Sequence, residues 1–507
     1  MSAKIATARP TARASYVRAS KPRASAAGRD AVRYGAAVAV AVALGAVQVF
    51  VIPRRLDVAS FGAWRVFLVY AAYVGALHVG LADGAFLRWA GRAPSEIGGE
   101  WRIVARWLLA WQGALLAAAL AAAPWLPPTM RAFAIGLAAC AAGTNLATLA
   151  AYALQTAGDF RGAGLVAALP PALFVPAALA LRTPTLAEVL GAYAASWGVA
   201  AVLGAWRVMR VLGGEPQRTQ RTQRRANSLL VSSASSASSA VQTNGTEIRM
   251  RTLLRDGLPV LGANLAAGVA LFADRIVVSA SVPVARFAHY GFASSVMVAA
   301  SAATQALSRV ALSHAARRVA SARAAFLDGY HDVVATVAGA ALALVPAFEA
   351  LVARLLPAYV PALPIVRALA FGAPFAVAVH VVLVGTLQSY GMVRRQLALE
   401  LVGLALVLAA CGACLAAGTP LWGVAAAASG AATTTWGIGV LFVRRAVPAP
   451  IRSRSARFAL VAAAQGAALL VALATSARWE TRTLVYVLLA AVPTLLAARA
   501  AREHGWR

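Results

Sequence analysis

Apolar residues in this chain fall into long runs broken by short polar punctuation, with no sustained alternation of period two or narrow stripe of period 3.6. Each run is about 20 residues long, which as a helix covers the ~30 Å hydrocarbon core of a bilayer. The runs predict helices over Arg33–Ile52, Ala63–Ala82, Ile103–Ala123, Arg131–Leu154, Gly162–Leu181 and Leu186–Val208. After a polar stretch they resume over Leu254–Ala280, His289–Leu312, Phe326–Phe348, Ile365–Leu387, Gln396–Ala417 and Leu421–Val443, with two more at Arg457–Thr475 and Leu484–Ala498. The reading is an all-α polytopic membrane protein of about 14 transmembrane helices.

One stretch, Phe61–Arg92, stands out because polar groups interrupt it at Arg65, His78, Asp83 and Arg88. A helix that met only lipid would not carry them, so this one is expected to face a polar interior. A weaker copy follows a shift of 226 residues, which aligns Arg29-Asp30 with Arg255-Asp256, Val58-Ala-Ser-Phe61 with Val284-Ala-Arg-Phe287, Trp64 with Tyr290, and Arg92 with Arg318. An even number of helices separates the copies, so the two halves are expected to be parallel and related by an axis along the membrane normal. In this register Asp83 aligns with Arg309 and Arg88 with His314, so the two copies differ in charge.

Composition supports the membrane reading: of 507 residues, 61% are hydrophobic and only 13% charged, with mean hydropathy +0.72. The net charge of +30 lies in the tail and in connections between runs, and only Lys4 and Lys21 are lysines. With an inside N-terminus, about 36 of the basic residues fall on the cytoplasmic side and about 11 on the other, as the positive-inside rule requires. Both termini are therefore expected in the cytoplasm. Nucleic acid is not an expected partner, because no soluble domain carries the charge. Residues 1–30 read as a disordered basic cytoplasmic tail, 31–209 as a first lobe of six helices and 210–250 as a flexible Ser/Ala/Arg/Gln-rich linker. Residues 251–445 read as a second six-helix lobe and 446–507 as two additional helices with a short tail. The sequon at Asn244-Gly-Thr246 lies on the cytoplasmic side and carries no weight.

Several chemistries are excluded by motif. Neither lysine follows a glycine loop of the phosphate-binding kind, no H-E-x-x-H surrounds any of the six histidines, and no G-x-S-x-G elbow occurs. Cys411-Gly-Ala-Cys414 lies within an apolar run and, like Cys140, reads as small packing residues rather than a metal or redox site. No cofactor or metal is expected. A membrane glycosyltransferase or polymerase would need acids in a sizeable outer loop, and the predicted outer loops are short, with Asp57 and Glu188 far apart.

What remains is polar groups within the spans: Gln48, Arg65, His78, Asp83, Arg88, Asn145 and Gln155 in the first half. The second half has Asn264, Asp274, Arg275, His289, Gln305, Arg309, His314, His380, Gln388 and Glu400. Arg88 and Arg309 have a simpler reading as snorkelling or locally paired groups, and Asn145, Asn264 and Gln305 as hydrogen bonds between helices. Arginine outnumbers acid in this set, and guanidinium groups suit bidentate recognition of a diphosphate.

The residues from Leu56 to Arg92, with Phe61-Gly-Ala-Trp64 at one end and Gly80-Leu-Ala-Asp-Gly84 at the other, resemble the second helix of Wzx-type polysaccharide flippases. The segment Asp256-Gly-Leu-Pro-Val-Leu-Gly-Ala-Asn264 through Asp274-Arg275 resembles the opening of their second half, and Leu355–Ile365 resembles their connection between helices nine and ten. The likeness spans roughly Arg29 to Arg445 and points to the multidrug/oligosaccharidyl-lipid/polysaccharide (MOP) exporter superfamily. It implies two six-helix lobes around a cavity that opens alternately to either side of a bacterial inner membrane, and a polyprenyl-diphosphate-linked oligosaccharide as cargo. Expected contacts to the cargo are Arg65, Arg88, Arg275, Arg309, Asn264 and Gln305, with Asp83, Asp274 and His78 as candidates for coupling to a proton or sodium ion. Membrane lipids are expected partners, as are a polysaccharide polymerase and glycosyltransferases. A small-molecule antiporter of the same fold is the alternative.

Overall fold

The computed structural model describes residues 24–89, 92, 94–213, 250–296, 329–390, 392–446, 452–475 and 478–503, and these are almost entirely helical, with no strand among them. Among the described residues, eleven helices are long and apolar enough to cross a membrane, or twelve when the bent helix of the second half is taken as one span. The protein is thus an all-α, multi-pass membrane protein. Expected spans one and eight correspond to helix α1 (Ala24–Arg55) and to a helix over 284–296, the remainder of span eight lying outside the described residues.

The expected second span is not one helix. It is α2 (Val58–Ala71), a 3-10 turn (Val74–His78) and α3 (Leu81–Trp89). Between them Val79 has φ 48° and Gly80 φ 82°, two consecutive residues in the left-handed region. A β-branched residue there is strained, and helix repeats cannot continue through it. The break leaves backbone carbonyls without partners in a setting where each costs several kcal/mol. Neighbouring helices supply donors: Asn145 Nδ2 to Val74 O at 3.0 Å, Gln112 Nε2 and Trp111 Nε1 to Leu77 O at 3.0 and 2.7 Å. Asn145 and Gln112 are fully buried, as their structural role demands. Hydropathy gave no sign of the break, because every residue from Tyr70 to Leu77 is compatible with an apolar helix.

The first half continues through α4 (Pro94–Ala122), α5 (Pro128–Thr156), α6 (Phe160–Ala180) and α7 (Leu186–Gly213). Asp57 caps α2 by accepting from Ala59 N and Ser60 N at 2.9 and 3.0 Å, and the hydrogen bonds from Ser60 hold its carboxyl below the usual carboxylate range. Asp159 caps α6 through Gly162 N at 2.9 Å and grips Arg207 of α7 through Nε at 2.6 Å and Nη2 at 3.2 Å. Burial pushes its carboxyl up, but the Arg207 and Gly162 hydrogen bonds outweigh that and hold it below the ordinary value. A folded-state pKa below the unfolded one stabilises the fold above ~3.9, and this contribution fades as pH drops through the lower folded value. Asp159→Asn should therefore lower the thermal midpoint at pH 7, and its difference from wild type should shrink progressively as pH falls below ~3.9.

The second half holds α8 (Met250–Ser281), α9 (284–296), α10 (Tyr330–Leu342), α11 (Val345–Leu355), α12 (Leu363–Ala378), α13 (Gly385–Ser389), α14 (Val393–Ala416) and α15 (Leu421–Ala446). Helices α1 and α8 are both 32 residues long and begin 226 residues apart, the register of the sequence repeat. Helix α8 bends by 46° between Met250–Ala266 and Gly268–Ser281. The last pair, α16 (Arg452–Thr475) and α17 (Trp479–Glu503), docks on α10 through buried polar links. Arg457 grips buried Asp332 with Nε and Nη2, Gln465 Nε2 donates to Ala335 O at 3.0 Å, and Tyr486 OH donates to Gly339 O at 2.9 Å.

The halves meet along the α2–α3 span. At one membrane face an aromatic knot joins them: Phe61 stands edge-on to Phe292 and Tyr359, and Gly62 lets α2 press on the Val284 carbonyl. At the other face Gly80, just before α3, and Gly84 within it lie against the backbone of Gly257 and Leu253 in α8, so close that no Cβ fits at any of the three glycines.

Candidate functional site

Two groups of buried polar side chains flank this contact. The first sits where span two breaks. His78 closes the 3-10 turn, and its Nδ1 accepts from Gly80 N at 3.0 Å, which leaves Nε2 facing Asp83 Oδ2 at 3.6 Å. Tyr152 OH of α5 donates to Asp83 Oδ1 at 3.4 Å. His78 and Asp83 are 6% and 5% exposed, so a charge on either is expensive without the other. The two sequence candidates are thus brought together by the unwound segment, five residues apart.

The second group lies at the junction of the halves. Arg65 sits one residue from Trp64, whose ring stacks on Phe67 and Phe174 at 5.7 and 5.5 Å between centroids, fixing the face that α2 turns to the first half. Arg65 therefore points across the junction and rests on Gly291, where an added Cβ would lie 2.8 Å from the arginine Cβ. Positions 65 and 291 are equivalent in the repeat, so the chain meets its own copy here, with arginine on one side and glycine making room on the other. Arg275 of α8 lies at the same junction, where Phe272 beside it stands edge-on to Tyr73 of the second span. Arg275 is 7% exposed, lies 4.7 Å over the Phe272 ring and donates Nη1 to the Leu271 carbonyl at 3.3 Å. The Nε atoms of both arginines are buried without a hydrogen-bond partner among the described residues.

Asp274 does not pair with Arg275 although the two are adjacent. Successive helical residues diverge by about 100°, and Asp274 accepts instead from Tyr290 OH at 2.8 Å. Asp274 and Arg275 line a cavity of about 130 Å³ inside the second half, together with His380, Glu400, Ser429 and Thr435. His380 Nδ1 lies 3.7 Å from Glu400 Oε1, and Glu400 is 4% exposed. His380 lies in a turn of π-helix (Val379–Val384), a local widening that often accompanies functional sites. His380 and Glu400 were visible in the sequence as polar groups within spans, but nothing there linked them to Asp274, more than a hundred residues earlier. Ser429 and Thr435 carried no signal.

Not every expected contact joins these groups. Arg88 is held at the elbow between α3 and α4, where Glu100 accepts from Arg88 Nε at 3.2 Å, Arg92 Nη1 at 2.8 Å and Trp89 Nε1 at 3.1 Å. This is the local ion pair that its position near a helix end allowed, and it lies apart from Arg65 and Arg275. Asn264 is exposed on α8. Arg309, Gln305 and His314 lie outside the described residues, so the charge comparison of the two repeat copies at those positions does too.

No family model and no curated protein matches the sequence. Solved structures do match the fold. A lipid II flippase MurJ in an inward closed conformation superposes with TM-score 0.65 over 92% of this chain and 98% of its own, at 12% identity. An outward-facing multidrug resistance MATE transporter of the MOP superfamily gives 0.53 over 85% and 96%, at 17% identity. A MATE protein in complex with MaD3S gives 0.52 over 84% and 96%, at 15% identity. With most of this chain and nearly the whole of each neighbour covered, the fold is similar to that of these solved flippase and transporter structures.

Proposed function

We propose that the protein flips a polyprenyl-diphosphate-linked oligosaccharide across a bacterial inner membrane, its lobes rocking to open the cavity to one side and then the other. The observation that carries this reading is the Arg65–Arg275 pair. Two guanidinium groups, one buried and one half-buried, whose Nε atoms have no hydrogen-bond partner among the described residues, are costly in an empty protein. An anion that enters between them supplies the missing bonds. A diphosphate offers the bidentate geometry that guanidinium groups match best. The likeness to a lipid II flippase supports the same class of cargo, a sugar carried on a lipid.

His78 and Asp83 at the break, and Asp274 in the second-half cavity, are the candidates for coupling to a proton or sodium ion, since each is a titratable group within a span. The alternative reading, a small-molecule antiporter, is favoured by the buried acids Asp83, Asp274 and Glu400, which suit a cationic cargo. In our reading both termini are cytoplasmic, and a polymerase and glycosyltransferases act on either side of the transport step.

Lipid analysis after removal of the protein separates these readings. A flippase predicts accumulation of complete lipid-linked oligosaccharide on the cytoplasmic leaflet. Accumulation of single units on the outer leaflet points to a polymerase, and unchanged lipid-linked sugars with increased sensitivity to cationic compounds point to the antiporter. Either of the last two outcomes overturns the proposal.

A further inference from the structure

A second charged cavity, of about 640 Å³, lies between the end of α11, the start of α12 and the start of α17, and shares no lining residue with the one around Arg275. It opens at the face where Arg54 Nε donates to Leu355 O, the face opposite Gly213 and Met250. Its charged lining is Glu349, Arg367, Arg478, Glu480 and Arg482, three cations against two anions.

The arrangement of these charges is layered. Glu349 lies at the back, its side chain 5% exposed, and accepts from Arg367 Nε at 2.5 Å and Nη2 at 2.7 Å, with Arg482 Nη1 at 3.6 Å. The guanidinium groups stand in front, 36% and 23% exposed. A carboxylate sealed behind two partly exposed arginines fixes their orientation, and the three charges together are net positive, which is how a rigid anion-binding fork is built. Arg367 commits Nε and Nη2 to Glu349 and makes no other hydrogen bond among the described residues, so part of its donor set remains for a ligand. Arg478 adds a further cation at the rim.

The surroundings point to the source of the anion. Trp479, 41% exposed, stands at the mouth as tryptophans do at the membrane–water boundary. Below it α17 turns Leu484, Leu488, Val492 and Leu495 outward, each at least 58% exposed, a surface that acyl chains would cover. We propose that this cavity binds the phosphate-bearing headgroup of an anionic membrane lipid, whose chains run down α17. The site does not depend on what the central cavity carries. It gives α16 and α17 a function beyond span count, holding a lipid against the second half at the face opposite the linker connection.

Native mass spectrometry of the full chain, titrated with phosphatidylglycerol or phosphatidylcholine, tests this. Wild type should hold phosphatidylglycerol in preference to phosphatidylcholine, and Arg478→Gln/Arg482→Gln should weaken phosphatidylglycerol by about tenfold or more while leaving Arg367 and Glu349 paired. Glu480→Gln, a change at an exposed acid with little risk to folding, should move affinity the other way. Equal retention of the two lipids, or phosphatidylglycerol binding unaltered by Glu480→Gln and by the double change, overturns the proposal. Displacement of the lipid by millimolar inorganic phosphate assigns the site to a soluble phosphate and overturns it as well.

Discussion

Arg275→Met and Arg65→Met should each abolish transport while leaving the protein as stable as wild type or more so. Arg275 is buried and Arg65 half-buried, and each has a buried Nε without a partner among the described residues. Replacing an uncompensated buried charge with an apolar side chain of similar volume is often neutral or stabilising, by ~1–4 kcal/mol. Removing a charge-assisted contact to a buried anion costs ~2–5 kcal/mol, which is ~30-fold to several-thousand-fold in affinity. The two effects have opposite signs only if the arginines serve the cargo rather than the fold. Lysine should not rescue, because a point charge cannot reproduce a bidentate fork. Export measured in cells, alongside thermal midpoints of the purified variants, reads both at once. Transport that survived both replacements would remove the basis for a diphosphate site here.

The second large effect is expected at the glycines between α3 and α8. A methyl group at Gly84 falls on the Leu253 carbonyl, one at Gly257 falls on the Gly80 carbonyl, and one at Gly80 lies 2.8 Å from the Gly257 carbonyl carbon. All three obstacles are backbone, which cannot turn aside as a side chain can. Overpacking of this kind costs ~1–3 kcal/mol, a shift of ~5- to 150-fold between contact and separation of the halves. Gly80→Ala carries an added penalty of ~1–2 kcal/mol because its φ of 82° lies in the left-handed region. The contact should therefore open in Gly84→Ala and Gly257→Ala. A cysteine placed at Leu254 should then react with an impermeant maleimide at least about fivefold faster than in the parent. Unchanged reactivity would mean that the contact does not hold the lobes together. Gly45, which has nothing within reach of a Cβ, is the control position.

Much of this architecture could be read from the sequence, for a physical reason. A bilayer imposes one length and one polarity on every crossing helix, so spans appear as runs. The 226-residue register was legible because both halves begin their first helix in the same way, and α1 and α8 keep that register to the residue. The broken second span was hidden. Its cause is backbone geometry at Val79 and Gly80 and donors from Asn145, Gln112 and Trp111, which are distant in sequence and unremarkable in composition.

The site divides the same way. Charge within an apolar run singled out Arg65, His78, Asp83, Asp274 and Arg275, because any such group needs a reason to be there. It could not separate Arg88, which answers to Glu100 at an elbow, from Arg65, which pairs with no acid among the described residues. Nor could it join Glu400 and His380 to Asp274, since that depends on how four helices are rotated about their axes.

Transbilayer movement of a polyprenyl-diphosphate-linked oligosaccharide by the purified chain in proteoliposomes tests the central claim most directly. The labelled lipid is quenched from one side, so its change of leaflet is seen as lost protection. The account predicts protein-dependent movement that is absent in Arg275→Met and is not reproduced with the same lipid lacking its diphosphate. Movement at the rate of protein-free vesicles, or equal movement of the lipid without its diphosphate, would contradict it.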